Sequence, residues 1–237
     1  MSSGRIKIIA CATVLEEMLP FMPPDQAYEV LDFGLHLRPK SLKGALQGAI
    51  DASADEFDII LLGYGLCSMA VVGLKANNCT LVIPRVDDCI ACFLGSQDAY
   101  LEQQQTEPGT YYLTKGWIEV SDTLLDEYNR MLEKYDRETA ERIMGIMLKN
   151  YKRLVYIDTG ADEQEKYRAY ARRVADQFGL RFEEMPGSDA LIRKMFAREW
   201  AADFVVAGPG EEVTYAAFKT TARTAANLNL YQTGPGQ

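Results

Sequence analysis

Three times in the first ninety residues an apolar run ends in a cysteine. RIKIIAC closes on Cys11, DIILLGYGLC on Cys67 and TLVIPRVDDC on Cys89. Short apolar runs bounded by turn residues read as buried strands. Strands that alternate with helix-length segments predict right-handed βαβ units and a parallel sheet. In an open parallel sheet the ligand site lies outside the carboxyl ends of the strands. Three thiols are therefore expected at one edge of one sheet.

The rest of the chain extends this rhythm. Ala27 to Phe33 reads as a second strand, followed by LHLRPKSL, with Ser41 as a candidate N-cap for SLKGALQGAIDASA. Thr13 and Glu16 have the spacing of a capping box after the first strand. A helix is expected from Ile90 to Gln105, then an irregular stretch, TEPGTYYLTKGWIEV, read as a hairpin or an excursion over the site. Residues 122 to 150 are helical in pattern and highly charged, with a break near Tyr135-Asp136. RLVYIDTG, RFEEMPGS and DFVVAGPGEE then repeat strand and turn. The expected fold is α/β: a doubly wound, mostly parallel, Rossmann-like sheet in two halves. Residues 1–120 form the half with the cysteines, 121–150 a helical connector and 151–237 the second half.

Lys and Arg total 25 against 34 Asp and Glu, for a formal net charge of -9. That balance opposes nucleic acid or an anionic membrane as partner. The start, MSSGRIKIIAC, lacks the apolar core of an export signal, and no run nears the ~18 apolar residues of a spanning helix. A cytoplasmic protein is expected, with a homo-oligomer left open. All five cysteines fall in the first 92 residues. An odd count in a reducing compartment turns attention from disulfides to metal binding or catalysis.

Cys11, Cys67 and Cys89 are dispersed, unlike the close pairs of most structural zinc sites. Three separated thiolates suit a metal centre with one open position, either a [4Fe–4S] cluster with a free iron or zinc with a water or thiol. Cys67 and Cys89 are expected at helix N-termini, where the dipole would lower their pKa. Cys79 and Cys92 read as core. His36, the only histidine, follows the second strand and is a candidate fourth ligand or acid/base. Arg85, Asp87 and Asp88 flank Cys89: Asp88 is a candidate base or metal-orienting carboxylate, one of the two Asp residues a helix cap, and Arg85 a clamp for a substrate anion.

The glycines of GYGLC suit close backbone approach and positive φ, and Tyr64 between them is expected to pack. Neither a phosphate-binding Gly-Lys-Ser/Thr loop nor a GxGxxG fingerprint occurs. The turns at Asp158-Thr159-Gly160, Pro186-Gly187-Ser188 and Gly208-Pro209-Gly210 are candidates for an opposing wall, and Lys115-Gly116-Trp117 for a lid.

GYGLC, PRVDDCIACFLGS, PGTYYLTKGWIE and IDTG together resemble a family of bacterial and archaeal proteins, domain of unknown function 1638. The resemblance runs through most of the chain and marks Cys11, His36, Cys67, Asp88, Cys89, Gly116 and Trp117. It implies company with corrinoid-dependent methyltransferase systems, and so one-carbon or methylated-amine metabolism, but no settled activity. By fold-level analogy alone, quinolinate synthase and several lyases and desulfurases bring one cysteine from each of three α/β elements to a cubane cluster.

The leading expectation is a metal-dependent enzyme acting on a small polar molecule. An open-site [4Fe–4S] cluster on Cys11, Cys67 and Cys89 would serve as Lewis acid in a lyase, hydratase or desulfurase, assisted by Asp88, Arg85 and His36. The alternatives are zinc-dependent thiol or water activation, or a non-enzymatic accessory or binding protein for a corrinoid methyltransferase system.

Overall fold

The computed structural model describes residues 4–160 and 162–219. In chain order these form β1 (Ile6–Cys11), α1 (Ala12–Met18), β2 (Ala27–Leu31), α2 (Pro39–Ser53), β3 (Ile59–Gly63), β4 (Thr80–Pro84), α3 (Cys89–Phe93) and α4 (Gln97–Thr106). There follow β5 (Thr110–Leu113), α5 (Lys115–Val120), α6 (Leu124–Lys134), α7 (Arg137–Leu148), β6 (Arg153–Asp158), α8 (Gln164–Phe178), β7 (Arg181–Pro186), α9 (Ala190–Ala197), β8 (Phe204–Ala207) and α10 (Tyr215–Lys219). Short 3-10 turns cover Leu19–Phe21 and Phe33–Leu37. The fold is the expected Rossmann-like α/β architecture, with two sheets.

The first sheet has the order β2-β1-β3-β4-β8. Its first four strands are parallel and β8 runs antiparallel to β4 at the edge. The central strands are near-continuous apolar runs because they are covered on both faces. Ile9, Ile60, Leu62, Leu81 and Ile83 share a core with Leu42, Leu46 and Ile50 of α2. The edge strand β2 alternates instead, exposing Tyr28 and Val30. The second sheet, β5-β6-β7, is parallel throughout and has its own core of Leu113, Leu154, Tyr156, Ala171 and Val174.

The chain divides into two compact units, residues 4–92 with 190–219, and residues 93–189. This differs from a division near residues 120 and 150. The expected connector is two helices, α6 and α7, separated at Tyr135-Asp136 as read, and both contribute to the second unit's core. The strand rhythm assigns DFVVA to the second half, yet its FVVA forms β8 and closes the first sheet. A local pattern specifies a strand but not which sheet receives it.

Several boundaries also moved. The expected helix from Ile90 to Gln105 is two helices, α3 and α4, and Ser96 caps the second through Ala99 N–H. The stretch after Pro108-Gly109 is β5 and then α5, which Thr114 caps through Trp117 N–H. Helix α2 starts at Pro39, not after Ser41, because proline at the first helical position needs no N–H. Thr13 does not cap α1: it is fully buried, and its hydroxyl meets Cys11 Sγ at 3.1 Å.

Candidate functional site: converging thiols at the carboxyl edge of the first sheet

Strand succession in the first sheet reverses between β1 and β3, since the chain goes to β2 on one side of β1 and to β3 on the other. The crevice outside the carboxyl ends at such a reversal is where ligands bind in open α/β sheets. Cys11 is the last residue of β1 and Cys67 follows β3 by four positions, so they flank that point. Small residues bring the strand ends together. Gly63 lies opposite Ala10 in register, and a Cβ on Gly63 would fall 2.6 Å from the Ala10 Cβ.

The loops after β3 and β4 are joined in the same way. A Cβ on Gly65 would meet the Val86 carbonyl oxygen at 2.6 Å and the Asp88 nitrogen at 3.1 Å. Leu66 N–H donates to Val86 O at 2.8 Å, and Cys67 N–H to Asp87 O at 3.0 Å. Cys67 is thereby held beside the turn that carries Asp88 and Cys89. Close approach is thus the role of the GYGLC glycines, and neither has positive φ. The left-handed backbone falls instead on Cys67, Ser68 and Met69, with φ of 44°, 55° and 72°. Each non-glycine residue held there costs roughly 1–2 kcal/mol. Buried Leu66, Ala70 and Val71 on either side hold the turn in this conformation, and strain of this kind gathers at functional sites.

Cys11, Cys67 and Cys89 are each half-buried as residues, while their thiol groups are turned away from solvent. Burial pushes the Cys67 thiol up to about 12, reinforced by the charges that Cys11 and Asp88 would place beside it. Burial raises Cys89 well above its ordinary value, and Cys11, Asp88 and Cys67 add to it. Cys11 is raised by burial and partly relieved by the Thr13 hydroxyl. These shifts oppose the lowering expected from helix N-termini. Cys67 precedes no helix, α3 is a five-residue turn, and loss of solvation outweighs any dipole. Without a cation the three groups are neutral thiols, and binding one would release their protons.

Cys92 is core, as expected from the sequence, and it stands next to this group. It is 3% exposed, lies one helical turn from Cys89, and its thiol is raised by burial and then by Cys67, Asp88 and Cys11. What the sequence reading leaves out is that Cys92 pairs with Cys89 in Cys89-Ile90-Ala91-Cys92. That C-x-x-C at the start of a helix was the signal that could have found it. Cys79 is buried at the other end of β4, within the core.

The remaining candidates are distributed unevenly. Asp88 Oδ1 accepts from Ile90 N–H at 2.9 Å, so it caps the turn bearing Cys89 while its charge acts on Cys67, Cys89 and Cys92. Arg85 donates to the Phe204 carbonyl at 2.8 Å, which ties it to the start of β8. His36 is exposed on the turn after β2, its Nδ1 2.6 Å from Phe33 O and its ring against Phe33. Gly208-Pro209-Gly210 follows antiparallel β8 and so lies at the amino-terminal edge of the parallel strands, where Gly210 N–H donates to Ala76 O. In the second unit, Gly187 N–H donates to Asp158 O at 2.7 Å at the ends of β7 and β6, and Trp117 packs against that unit's core.

The donor chemistry is soft and sulfur-rich. Among the described residues no three His, Cys, Asp or Glu side chains are grouped as they stand to hold a single metal ion. The Tyr64 hydroxyl is buried without a hydrogen bond among the described residues.

Fold and site define a Rossmann-like α/β protein with a thiol cluster at the carboxyl edge of its first sheet. The chain belongs to the family described as Protein of unknown function (DUF1638), whose model matches residues 30–196. Tyr64, Cys67, Arg85, Asp88, Cys89 and Cys92 fall within that span, and β1 with Cys11 precedes it. Neither the curated proteins nor the solved structures gave a match. Among the described residues no helix is long and apolar enough to cross a membrane.

Proposed function

We propose that the chain is a metal-dependent enzyme for a small polar molecule, with a [4Fe–4S] cluster held by Cys11, Cys67 and Cys89. The observation that carries this reading is the delivery of three cysteines to one edge by the ends of three adjacent parallel strands, with the Cys67 turn hydrogen-bonded to the turn that bears Cys89. A cubane ties each cysteine to a different iron. It therefore accepts sulfurs farther apart than the roughly 3.8 Å that tetrahedral zinc with bonds of about 2.3 Å demands. When bound with one iron open, such a group supplies a Lewis acid.

The chain's own residues would do the rest. Asp88, already fixed by Ile90 N–H, keeps a carboxylate beside the thiols as base or orienting group. Arg85 at the same edge would attract an anionic group of the substrate, and exposed His36 would act at the periphery. Five free cysteines suit a reducing compartment, consistent with the cytoplasm.

The test is iron and acid-labile sulfide in protein purified without oxygen, beside Cys67→Ala. About four of each per chain, lost in the variant, supports the reading. Stoichiometric zinc alone would replace it with thiol or water activation. Metal-free protein in both would overturn it and leave a binding role, such as an accessory of a corrinoid methyltransferase system.

A further inference from the structure

The position after Gly63 carries the one buried hydroxyl at this edge that the thiol site can explain. Tyr64 is 4% exposed, and its hydroxyl has no hydrogen-bond partner among the described residues. An unmade bond on a buried hydroxyl is expensive, so nearly all such groups in folded proteins are paired. The backbone on either side of it is closely packed. Gly63 on one side is pressed against Ala10, and Gly65 on the other against Val86 and Asp88. Phenylalanine would fill the same core volume without an orphaned oxygen, so packing explains the ring but not the hydroxyl.

The surroundings identify what the hydroxyl lacks. Tyr64 stands between Gly63, which faces Ala10 beside Cys11, and Gly65, which faces the Val86–Asp88 turn beside Cys89, and it belongs to the core cluster against which Cys11 and Cys67 pack. All three cysteines would be anionic when holding a metal, and a cluster adds sulfide. Each is a hydrogen-bond acceptor, whereas neutral thiols are weak ones.

The geometry points to Tyr64 as a fourth, non-thiol contact of the site, whose hydroxyl donates a hydrogen bond to the sulfur of the metal centre held by Cys11, Cys67 and Cys89. The inference rests on the proposed function and deepens it. The bond would be made in the loaded protein. A hydrogen bond to sulfur withdraws charge from the centre, so it favours the reduced state and slows loss of metal.

The experiment compares full-length wild type with Tyr64→Phe, each reconstituted with iron and sulfide, and in parallel with zinc alone. Four readouts are taken: metal and sulfide content, removal of metal by a chelator, midpoint potential where iron is bound, and the melting temperature of the metal-free protein. The expected result is equal loading, with about tenfold faster removal of metal from the variant. Its midpoint potential should be more negative, and the metal-free variant should melt at or above wild type. A purely structural tyrosine would lower the melting temperature and leave the potential unmoved, which overturns the inference. So would identical removal rates in two loaded proteins, a result that leaves the metal site itself intact. Wild type that takes up neither iron with sulfide nor zinc would overturn the underlying function, and this inference with it.

Discussion

The backbone N–H of Cys67 donates to the carbonyl of Asp87 across 3.0 Å. Through that bond the strained turn after β3 is fastened to the turn that presents Asp88 and Cys89. The thiols are brought together by main-chain pairing and by glycines that let the loops touch, so the assembly depends on residues with no chemistry of their own.

Gly65 is the first of these. Alanine there would put a Cβ 2.6 Å from a carbonyl oxygen and 2.8 Å from Val86 Cγ2, so one loop must shift. Gly65→Ala is expected to destabilise by about 1–3 kcal/mol and to reduce metal uptake. Gly48→Ala, in exposed α2 with nothing within 4 Å of the added methyl, should stabilise by about 0.5–1 kcal/mol. Urea unfolding of both variants checks the contrast.

The left-handed run makes a prediction of opposite sign. Ser68 is exposed at φ 55°. Ser68→Gly removes a penalty of roughly 1–2 kcal/mol and returns about half of it as unfolded-chain entropy. A net gain of about 0.5–1 kcal/mol is expected, while Ser68→Ala gains nothing. If the strain also positions Cys67, the glycine variant will be more stable yet bind metal less tightly.

Thiol reactivity follows from burial. With Cys67 raised to about 12, its thiolate fraction at pH 8 is about three orders of magnitude below that of a free cysteine near 8.5. Iodoacetamide should label metal-free folded protein at this position only slowly, with a rate that keeps climbing above pH 9. Rapid labelling at pH 8, read by mass spectrometry, would show that the thiol of half-buried Cys67 is solvated rather than shielded.

The second unit has its own pH dependence. Arg153, 5% exposed, donates to Thr110, to Glu183 at 2.6 Å and to Gln103 at 2.9 Å. Burial acts to raise the Glu183 carboxyl, but hydrogen bonds from Arg153 and Arg181 outweigh it and hold it below its ordinary value. A depressed carboxyl contributes its full stability above the unfolded value near 4.3 and loses it as pH falls through the lower folded value. Glu183→Gln should cost about 2 kcal/mol near neutrality, less than a fully buried pair because Glu183 is partly in water. It should also flatten the loss of stability below about pH 4, measurable by thermal melts from pH 3 to 7.

Where the sequence succeeded, the signal was local and repeated. Strand positions followed from apolar runs, the α6–α7 break from Tyr135-Asp136, and the shared edge of Cys11, Cys67 and Cys89 from the topological rule for parallel sheets. It failed where the outcome depends on partners distant in the chain. The β8 run FVVA carries no mark that it pairs antiparallel with β4. Cys92 is core as read, but nothing local marks that it lies beside the strand-end thiols. The pKa direction was misjudged because helix starts can be read locally and desolvation cannot.

The sequence by itself determined the α/β rhythm, the parallel strands and the delivery of three cysteines to their carboxyl ends, because periodicity and turn residues act over a few positions. Only the tertiary structure decided that the loops after β3 and β4 pair, that the left-handed turn falls on Cys67 to Met69, and that Tyr64 keeps a buried hydroxyl without a partner among the described residues. Those outcomes depend on how closely two loops pack and how much water they exclude, and packing is a property of residues brought together by the whole fold.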